Sequence, residues 1–311
     1  MTGSAASSRI RRVSREKLGS GIVRLFFKQA LAELRLNVSR RVDFRHSRNG
    51  EAVRAYCAMS AEEFEGINAR QKWANWRTIP RNLHGRLPLR PCRAVDLCCG
   101  LGHSTQVLAY YLPAGSTVLG LEYNPEFVRV ARRREYLASD RAPVAVSFRA
   151  QSVLDTFRDV SGRPLAEGSL DLVNCCGALG LHFVRSDVER LAAEIFRVLR
   201  WGGLATLDSG RKGVDRGAMT EVFERRGFRV VSAAKSCFLD RFTQVCFRKE
   251  DVMSPKNHPH GGPIRSEDSP LDEGSAESFR AVQPAAFRDQ PRASIEAGVT
   301  DPDVDDTIGG E

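Results

Sequence analysis

Apolar runs alternate with helix-like segments from residue 93 to residue 249, and this alternation constrains the fold more than any other feature of the sequence. It is typical of an α/β domain, in which helices cover both faces of a parallel sheet. Two final apolar runs, 228–235 and 241–248, have no helix between them, so we expect them to pair antiparallel. The sequence therefore predicts a seven-stranded, mostly parallel sheet with one antiparallel strand. The other predicted strands are 93–98, 117–122, 144–149, 170–175 and 203–208, and the predicted helices are 103–112, 125–138, 186–200 and 216–226.

Charge is distributed unevenly along the chain, whose net charge is +9. Residues 1–55 carry 13 Arg and Lys against 4 Asp and Glu, whereas residues 251–311 carry 5 against 13. Apolar residues in 15–36 recur at helical spacing, which predicts an amphipathic helix with a basic polar side. This helix could pack on the domain or lie on a membrane surface. The acidic end is rich in Pro, Gly and Ser and has no periodicity, so we expect it to be disordered.

A second helical segment precedes the α/β region. Ser60, followed three residues later by Glu63, matches a capping box and predicts a helix over about 61–76 that stops before Pro80. We therefore expect four parts: a basic N-terminal extension with an amphipathic helix (1–55), a helical cap (56–90), the α/β domain (91–250) and a disordered acidic tail (251–311).

The first predicted strand runs into the turn GLGHST, which begins the next helix. Gly100 and Gly102 allow backbone amides and a helix N-terminus to approach a ligand. Thr105 stands where the dinucleotide fingerprint needs its third glycine, so that fingerprint is absent. The second strand ends at Glu122, about 20 residues beyond the turn, where an acid can accept hydrogen bonds from both hydroxyls of a ribose. Turn and acid together indicate a site for a ribose-containing ligand.

With these features in place, residues 93–249 resemble a class I S-adenosylmethionine-dependent methyltransferase domain. The matching stretches, in chain order, are VDLCCGLGHST, GLEYNPEFVRVARR, FRAQSVLD, SLDLVNCCGALGLHF and VLRWGGLATLDS. The resemblance implies a Rossmann-like sheet, S-adenosylmethionine as cofactor and methyl transfer as activity. The form DLCCG is similar to that of quinone-biosynthesis methyltransferases, among others.

The resemblance also implies roles for individual residues. Asp96 would orient the glycine turn and reach the methionine ammonium through water. Gly100 and Gly102 would let the backbone pass against the cofactor. Glu122 would hold the ribose, with Tyr123 beside the adenine.

Two positions depart from the family pattern. Ser152 stands where the family usually has an aspartate bonded to the adenine amino group, which shifts adenine contact toward the backbone of Val153. Cys98 stands at the family's usual first glycine, and Cys175 ends the neighbouring fourth strand, so both are expected near the methionine end of the cofactor. Adjacent cysteines lack the C-x-x-C spacing of zinc sites, so we predict packing against the cofactor and no metal.

A methyltransferase of this type mainly has to align an acceptor and exclude water. His182, just past the fourth strand, is the candidate general base, and a structural histidine is the alternative. The NCCG motif differs from the Asn-Pro-Pro-aromatic type that acts on adenine or glutamine nitrogens, which favours a small, lipophilic or quinone-like acceptor. An RNA methyltransferase that uses the basic N-terminus and a non-catalytic cofactor-binding protein stay open as alternatives.

Cysteine usage and hydropathy bear on the cellular setting. The chain has 8 cysteines, no recognisable secretory leader and no apolar run long enough to span a membrane. We expect a cytoplasmic protein, with peripheral membrane contact through the basic N-terminus as a further option. Oligomeric state does not follow from the sequence.

Overall fold

The computed structural model describes residues 15–40, 50–237 and 240–250. The predicted acidic tail lies outside these ranges, as does part of the basic extension. The helices are α1 (Arg15–Arg40), α2 (Gly50–Cys57), α3 (Ala61–Ile67), α4 (Ala69–Leu83), α5 (His103–Tyr111), α6 (Pro125–Arg132), α7 (Leu179–His182), α8 (Arg185–Val198) and α9 (Arg216–Glu224). The strands are β1 (Arg93–Leu97), β2 (Thr117–Glu122), β3 (Ala145–Ala150), β4 (Leu170–Cys175), β5 (Leu199–Gly210), β6 (Phe228–Ala234) and β7 (Phe242–Lys249).

The seven strands form one sheet in the order β3-β2-β1-β4-β5-β7-β6. β7 runs antiparallel to both of its neighbours, β5 and β6, while the pairs from β3 through β5 are parallel. All six residues of β4 are buried, as expected for a central parallel strand covered on both faces. The predicted fold class, including the single antiparallel strand, is confirmed.

Two helix predictions are wrong at their ends. α6 was expected to reach residue 138 but ends at Arg132. The chain leaves the helix there and buries Tyr136, whose hydroxyl donates to the carbonyl oxygen of Ala131 at 2.9 Å and whose ring lies 5.4 Å from that of Phe148. Burial of a large aromatic side chain thus outweighs continued helical hydrogen bonding at this point.

The predicted helix 61–76 is in fact two helices, α3 and α4, which meet at Asn68. The second of them continues through Pro80 to Leu83, where the sequence predicted a stop. Proline inside a helix costs one hydrogen bond and a steric clash, about 3 kcal/mol. Here Ile79 and Leu83 are buried on either side of the proline, and Asn82 donates to the carbonyl oxygen of Gln244 at 3.1 Å. Docking on the sheet therefore maintains the helix.

The N-terminal helices α1 to α4, here called the helical segment, pack directly on the sheet domain. Leu36 of α1, Met59, Leu101 of the glycine turn and Phe127 of α6 form one buried cluster. α4 lies against α5, β6 and β7. The predicted boundaries at residues 55, 90 and 250 stay predictions.

The two sides of α1 have different environments. On the inner side, Leu36 is buried, the guanidinium of Arg70 lies 4.7 Å from the ring centre of Phe26, and the amide of Arg70 donates to Gln29 at 2.9 Å. The outer side carries a row of exposed apolar residues, here called the outer row. Its members are Phe27, Leu31, Leu34 and Val38, with exposed fractions of 75, 49, 60 and 69%. Within the described ranges, no helix has the length and hydropathy needed to span a membrane.

Candidate active site

A cavity of about 1220 Å³ opens at the carboxyl ends of the parallel strands. Its floor is made by the segments that follow β1 to β5, and its cover comes from α1 to α4. This is the edge at which open α/β sheets bind ligands. Six of the predicted site residues line the cavity: Cys98, Glu122, Tyr123, Ser152, Val153 and His182.

The turn after β1 has an unusual backbone at Cys98. Its φ is +50°, close to the +53° of Gly100 and within the left-handed region that favours glycine. A cysteine thus adopts the backbone conformation of the glycine that it replaces in the family pattern. Non-glycine residues in this region carry strain, on the order of 1–2 kcal/mol.

Asp96 lies beneath this turn, fully buried. Its carboxylate accepts hydrogen bonds from the hydroxyls of Ser104 and Thr105 at 2.7 and 2.6 Å and from the amide of Asn174 at 2.7 Å. Burial raises the pKa of Asp96 to about 6, and the three hydrogen bonds only partly oppose that shift. The arrangement ties the start of α5 to β1 and β4.

Asn174 extends this network across the sheet. Its carbonyl oxygen accepts from the hydroxyl of Thr206 at 2.7 Å and from the amide of Gln244 at 3.1 Å. Sequence reasoning missed Asn174. A polar residue in the mostly apolar run of a central strand was a usable signal, because buried polar groups need hydrogen-bond partners.

Glu122 is also buried, at the end of β2. One carboxylate oxygen accepts from the amide of Gly100 at 2.9 Å, and the other accepts from the amide of Asn124 at 2.8 Å and from the hydroxyl of Tyr56 at 3.0 Å. Burial raises the pKa of Glu122, against the effect of these hydrogen bonds. One acceptor position on the oxygen that faces Gly100 is left for a ligand hydroxyl.

Tyr56 and Phe64 bring the helical segment onto the glycine turn. A Cβ added to Gly100 would lie 2.6 Å from the Phe64 ring, so only glycine allows this approach. The ring centres of Phe64 and Phe127 are 4.4 Å apart. Burial, followed by the nearby Glu122 carboxylate, raises the pKa of Tyr56 well above its usual value. Sequence reasoning missed both residues because nothing local links them to a turn some 40 residues away.

A second contact between the helical segment and the turn is a hydrogen bond made by His103. The His103 ring lies between Arg134, 2.9 Å from Nδ1, and Glu65, 2.7 Å from Nε2. Because Arg134 can only donate, Nδ1 accepts and the proton sits on Nε2. Burial, with Arg134 and Lys72 nearby, lowers the pKa of His103 well below its usual value, which favours the neutral form.

The remaining predicted site residues follow β2 and β3. Tyr123 is half-exposed at the mouth of the cavity. The hydroxyl of Ser152 accepts from the amide of Leu154 at 3.1 Å, so it is partly used within its own turn. Val153 is buried.

The two cysteine doublets each divide between cavity and core. Cys98 and Cys176 line the cavity, whereas Cys99 and Cys175 are buried in the domain. Cys175 was predicted at the cofactor, but the structure puts Cys176 in the cavity lining, because neighbouring strand residues point to opposite faces. A hydrogen bond with the Cys98 thiol, together with burial, raises the pKa of Cys175. Among the described residues, no group of His, Cys, Asp and Glu is arranged to hold a metal ion.

His182 ends the short helix α7, whose start is held by Asp208. The Asp208 carboxylate accepts from the backbone amides of Ala178 at 3.1 Å, Leu179 at 3.3 Å and Gly180 at 3.0 Å. Asp208 is buried and was not predicted as a site residue, since only the fold brings β5 beside α7. Through these bonds β5 sets the position of His182 at the cavity wall.

With the geometry established, comparison with known proteins identifies the domain. Residues 94–203 match the family described as methyltransferase domain. Residues 94–203 thus form a methyltransferase domain, and the strand order of the sheet fits the class I, S-adenosylmethionine-dependent kind. S-adenosylmethionine is the cofactor that this domain implies. The residues fit it: Glu122 keeps an acceptor position for a ribose hydroxyl, and the buried Asp96 carboxylate lies below the turn that would carry the methionine arm.

Individual relatives match parts of this chain. A trans-aconitate 2-methyltransferase of Methylobacterium nodulans is 43% identical over 77 residues, 24% of this chain, so the match spans 30% of that relative's length. A TehB-like SAM-dependent methyltransferase structure from Corynebacterium glutamicum is 20% identical with a TM-score of 0.44, covering 63% of this chain and 100% of that one. A putative S-adenosyl-L-methionine-dependent methyltransferase from Methanococcus maripaludis is 15% identical with a TM-score of 0.44, covering 61% and 92%.

Proposed function

We propose that the protein transfers the methyl group of S-adenosylmethionine to a small acceptor molecule. The size of the cavity is the observation that carries this proposal. Pockets for one drug-sized ligand measure roughly 300–1,000 Å³. At about 1220 Å³ the cavity has room for a cofactor and a small acceptor together.

The two halves of the cavity suit different ligands. Glu122 and Ser152 lie on the side of β2 and β3, where the cofactor's ribose and adenine would bind. His182 lies on the side of β4 and β5. The cofactor supplies an electrophilic methyl group, and the chain's own task is to align the acceptor and exclude water. If the acceptor atom holds a proton, His182 is positioned to remove it.

We propose that the acceptor is partly lipophilic, with a quinone-like apolar body. Apolar side chains dominate the cover and the far wall: Phe26, Leu36, Phe64, Ile67, Leu181 and Phe183. The relative named trans-aconitate 2-methyltransferase supports a small-molecule acceptor in general. Cover by four helices makes the cavity better suited to a small molecule than to RNA.

We also propose a cytoplasmic location with peripheral contact to anionic membranes. The exposed apolar row of α1 supports this, since Phe27 and Leu31 lie on a face flanked by the exposed cations Arg24, Lys28 and Arg35. A helix with apolar residues along one face and basic residues beside them is suited to the boundary between lipid headgroups and acyl chains.

Cofactor binding is tested by calorimetric titration with S-adenosylhomocysteine. Wild-type protein should bind it and Glu122→Ala should bind at least tenfold more weakly, because the ribose loses its carboxylate partner. Glu126→Ala is the matched control, an exposed acid four residues further along the chain. If S-adenosylhomocysteine does not bind wild type, or binds all three proteins equally, the cofactor assignment is wrong.

Acceptor class is tested by incubating the protein with methyl-labelled S-adenosylmethionine and a cell extract. Lipid, small-molecule, RNA and protein fractions are then separated. Label in the lipid or small-molecule fraction supports the proposal. Label in RNA would favour an RNA methyltransferase, and cofactor binding without label in any fraction would favour a non-catalytic binding protein.

A further inference from the structure

The acceptor half of the cavity is rich in cations. Arg211 and Lys212 follow β5, Lys235 follows β6 and Arg241 precedes β7, and all four side chains line the cavity. β5 is three places from β2 in the sheet, about 14 Å away at the usual strand spacing. The four cations are therefore well separated from Glu122, on the far side of the cavity from the ribose position.

These cations are not neutralised by protein carboxylates. Within the described part of the chain, no ion pair involves the side chains of Arg211, Lys212, Lys235 or Arg241. The nearest carboxylate in sequence, Asp240, is already engaged by the hydroxyl of Ser236, by the amide of Phe242 at 3.1 Å and by Arg70 at 3.9 Å. The cavity lining thus presents four solvent-exposed cations that form no ion pair with a described carboxylate, on the side where the acceptor would sit.

Backbone hydrogen bonds fix the turn that carries the first two cations. Arg211 and Lys212 form the tip of a turn closed by a 2.9 Å hydrogen bond from the amide of Gly210 to the carbonyl oxygen of Val214. The amide of Gly213 donates to the carbonyl oxygen of Gly180 at 2.9 Å, and a Cβ on Gly213 would lie 2.3 Å from the Leu179 carbonyl oxygen. The turn is therefore fastened to α7, the helix that carries His182.

The loop that carries the other two cations is anchored as well. The guanidinium of Arg81 in α4 donates to the carbonyl oxygen of Lys235 at 2.8 Å. At its other end, Asp240 fixes the backbone of Phe242 and is paired with Arg70, also from α4. α4 thus positions the loop against the cavity from outside.

We propose that the methyl acceptor carries an acidic group, a carboxylate or a phosphate, and that Arg211, Lys212, Lys235 and Arg241 bind it. This inference rests on the proposed methyl transfer. Several cations around a concave site focus a positive potential there, and guanidinium groups pair with carboxylate and phosphate through two parallel hydrogen bonds. Together with the apolar walls, the cations define an amphipathic organic acid as the acceptor.

The test uses citrate and inorganic pyrophosphate as probe anions, titrated calorimetrically at low salt into the full-length protein with and without saturating S-adenosylhomocysteine. The test variant combines Arg211→Gln, Lys212→Gln and Arg241→Gln. The control variant removes the same charge elsewhere with Arg93→Gln, Arg133→Gln and Arg226→Gln, three exposed residues outside the cavity. Tighter binding of citrate would assign a carboxylate acceptor, and tighter binding of pyrophosphate a phosphate.

We expect at least one anion to bind wild type and the control variant alike, and to bind the test variant at least tenfold more weakly. S-adenosylhomocysteine affinity should be the same in all three proteins, which also shows that the test variant is folded. Equal anion binding by test and control variants, or no anion binding by wild type, would overturn the inference even if the cofactor analogue binds. Absence of S-adenosylhomocysteine binding would instead count against the proposed methyl transfer. In that case the anion titrations done without S-adenosylhomocysteine still decide whether the cationic site exists.

Discussion

The hydroxyl of Tyr56 donates a 3.0 Å hydrogen bond to the carboxylate of Glu122, a residue 66 positions further along the chain. The bond joins the helical segment to the end of β2, at the residue that would hold the cofactor's ribose. It occupies an acceptor position on a carboxylate that also accepts from the amides of Gly100 and Asn124. Packing of the helical segment and cofactor binding therefore share one buried group.

The Tyr56–Glu122 bond predicts a ligand-dependent change in stability. Tyr56→Phe should lower the free energy of unfolding by about 1.5–3 kcal/mol without ligand, the usual range for a hydrogen bond to a charged group. S-adenosylhomocysteine should recover part of this loss, because a ribose hydroxyl can take the vacated acceptor position. Urea unfolding with and without the ligand measures both values. Tyr110→Phe, which removes the hydroxyl of a tyrosine outside the cavity lining, is the control. A loss that is the same with and without ligand would contradict the shared use of Glu122.

Asp96 predicts a pH-dependent contribution to stability. Because burial raises its pKa from 3.8 to about 6, the native state holds the proton more tightly than the unfolded chain between those values. The resulting stabilisation is present below pH 4 and is lost as pH rises through 6. The difference in unfolding free energy, wild type minus Asp96→Asn, should fall by about 2 kcal/mol from pH 4 to pH 7.

Asp171 provides a control of opposite sign for that measurement. Burial alone would raise its pKa, but hydrogen bonds from the Arg93 amide and from Arg90 and Arg200 hold the pKa below the usual value. The difference between wild type and Asp171→Asn should therefore rise as pH rises through the acid range, opposite to that for Asp96→Asn. Parallel curves for the two variants would show that Asp96 does not titrate as described.

Cys98 predicts that glycine is better tolerated than alanine. Alanine keeps the cost of a left-handed backbone, whereas glycine removes about 1–2 kcal/mol of it, and both lose the thiol contact with Cys175. Cys98→Gly should therefore be more stable than Cys98→Ala by about 1 kcal/mol in urea unfolding. The comparison isolates the backbone term, and an alanine variant at least as stable as the glycine variant would refute the assigned strain.

The outer row of α1 predicts binding to anionic vesicles. Replacement of Phe27 and Leu31 by serine should weaken co-sedimentation with vesicles of phosphatidylserine and phosphatidylcholine at least tenfold, because two large apolar side chains no longer enter the lipid. Vesicles of phosphatidylcholine alone should bind wild type more weakly. Leu89→Ser is the matched control, since Leu89 is a fully exposed leucine outside α1. Equal co-sedimentation of the double variant and wild type would show that the outer row of α1 does not bind membranes.

The strands and their relative directions were predictable because their signals are local. Each strand is a short apolar run, and the helix or tight connection that follows determines whether the next strand is parallel or antiparallel. The glycine turn and Glu122 were visible for the same reason, since both lie at the ends of apolar runs. Signals within about ten residues were enough for these features, and for the pairing of β6 with β7.

Tertiary structure alone decided how the cavity is covered and which groups meet inside it. Pro80 remains in a helix because its neighbours are buried on the sheet, and α6 ends early because Tyr136 finds a pocket of its own. Asp208 reaches the amides of α7 across about 30 residues, and Tyr56 reaches Glu122 across 66. Sequence periodicity reports which face of an element is apolar, but it carries no information about which distant element will cover that face. Such groups come together only in the tertiary structure, and for this reason the acceptor side of the cavity could be recognised only in three dimensions.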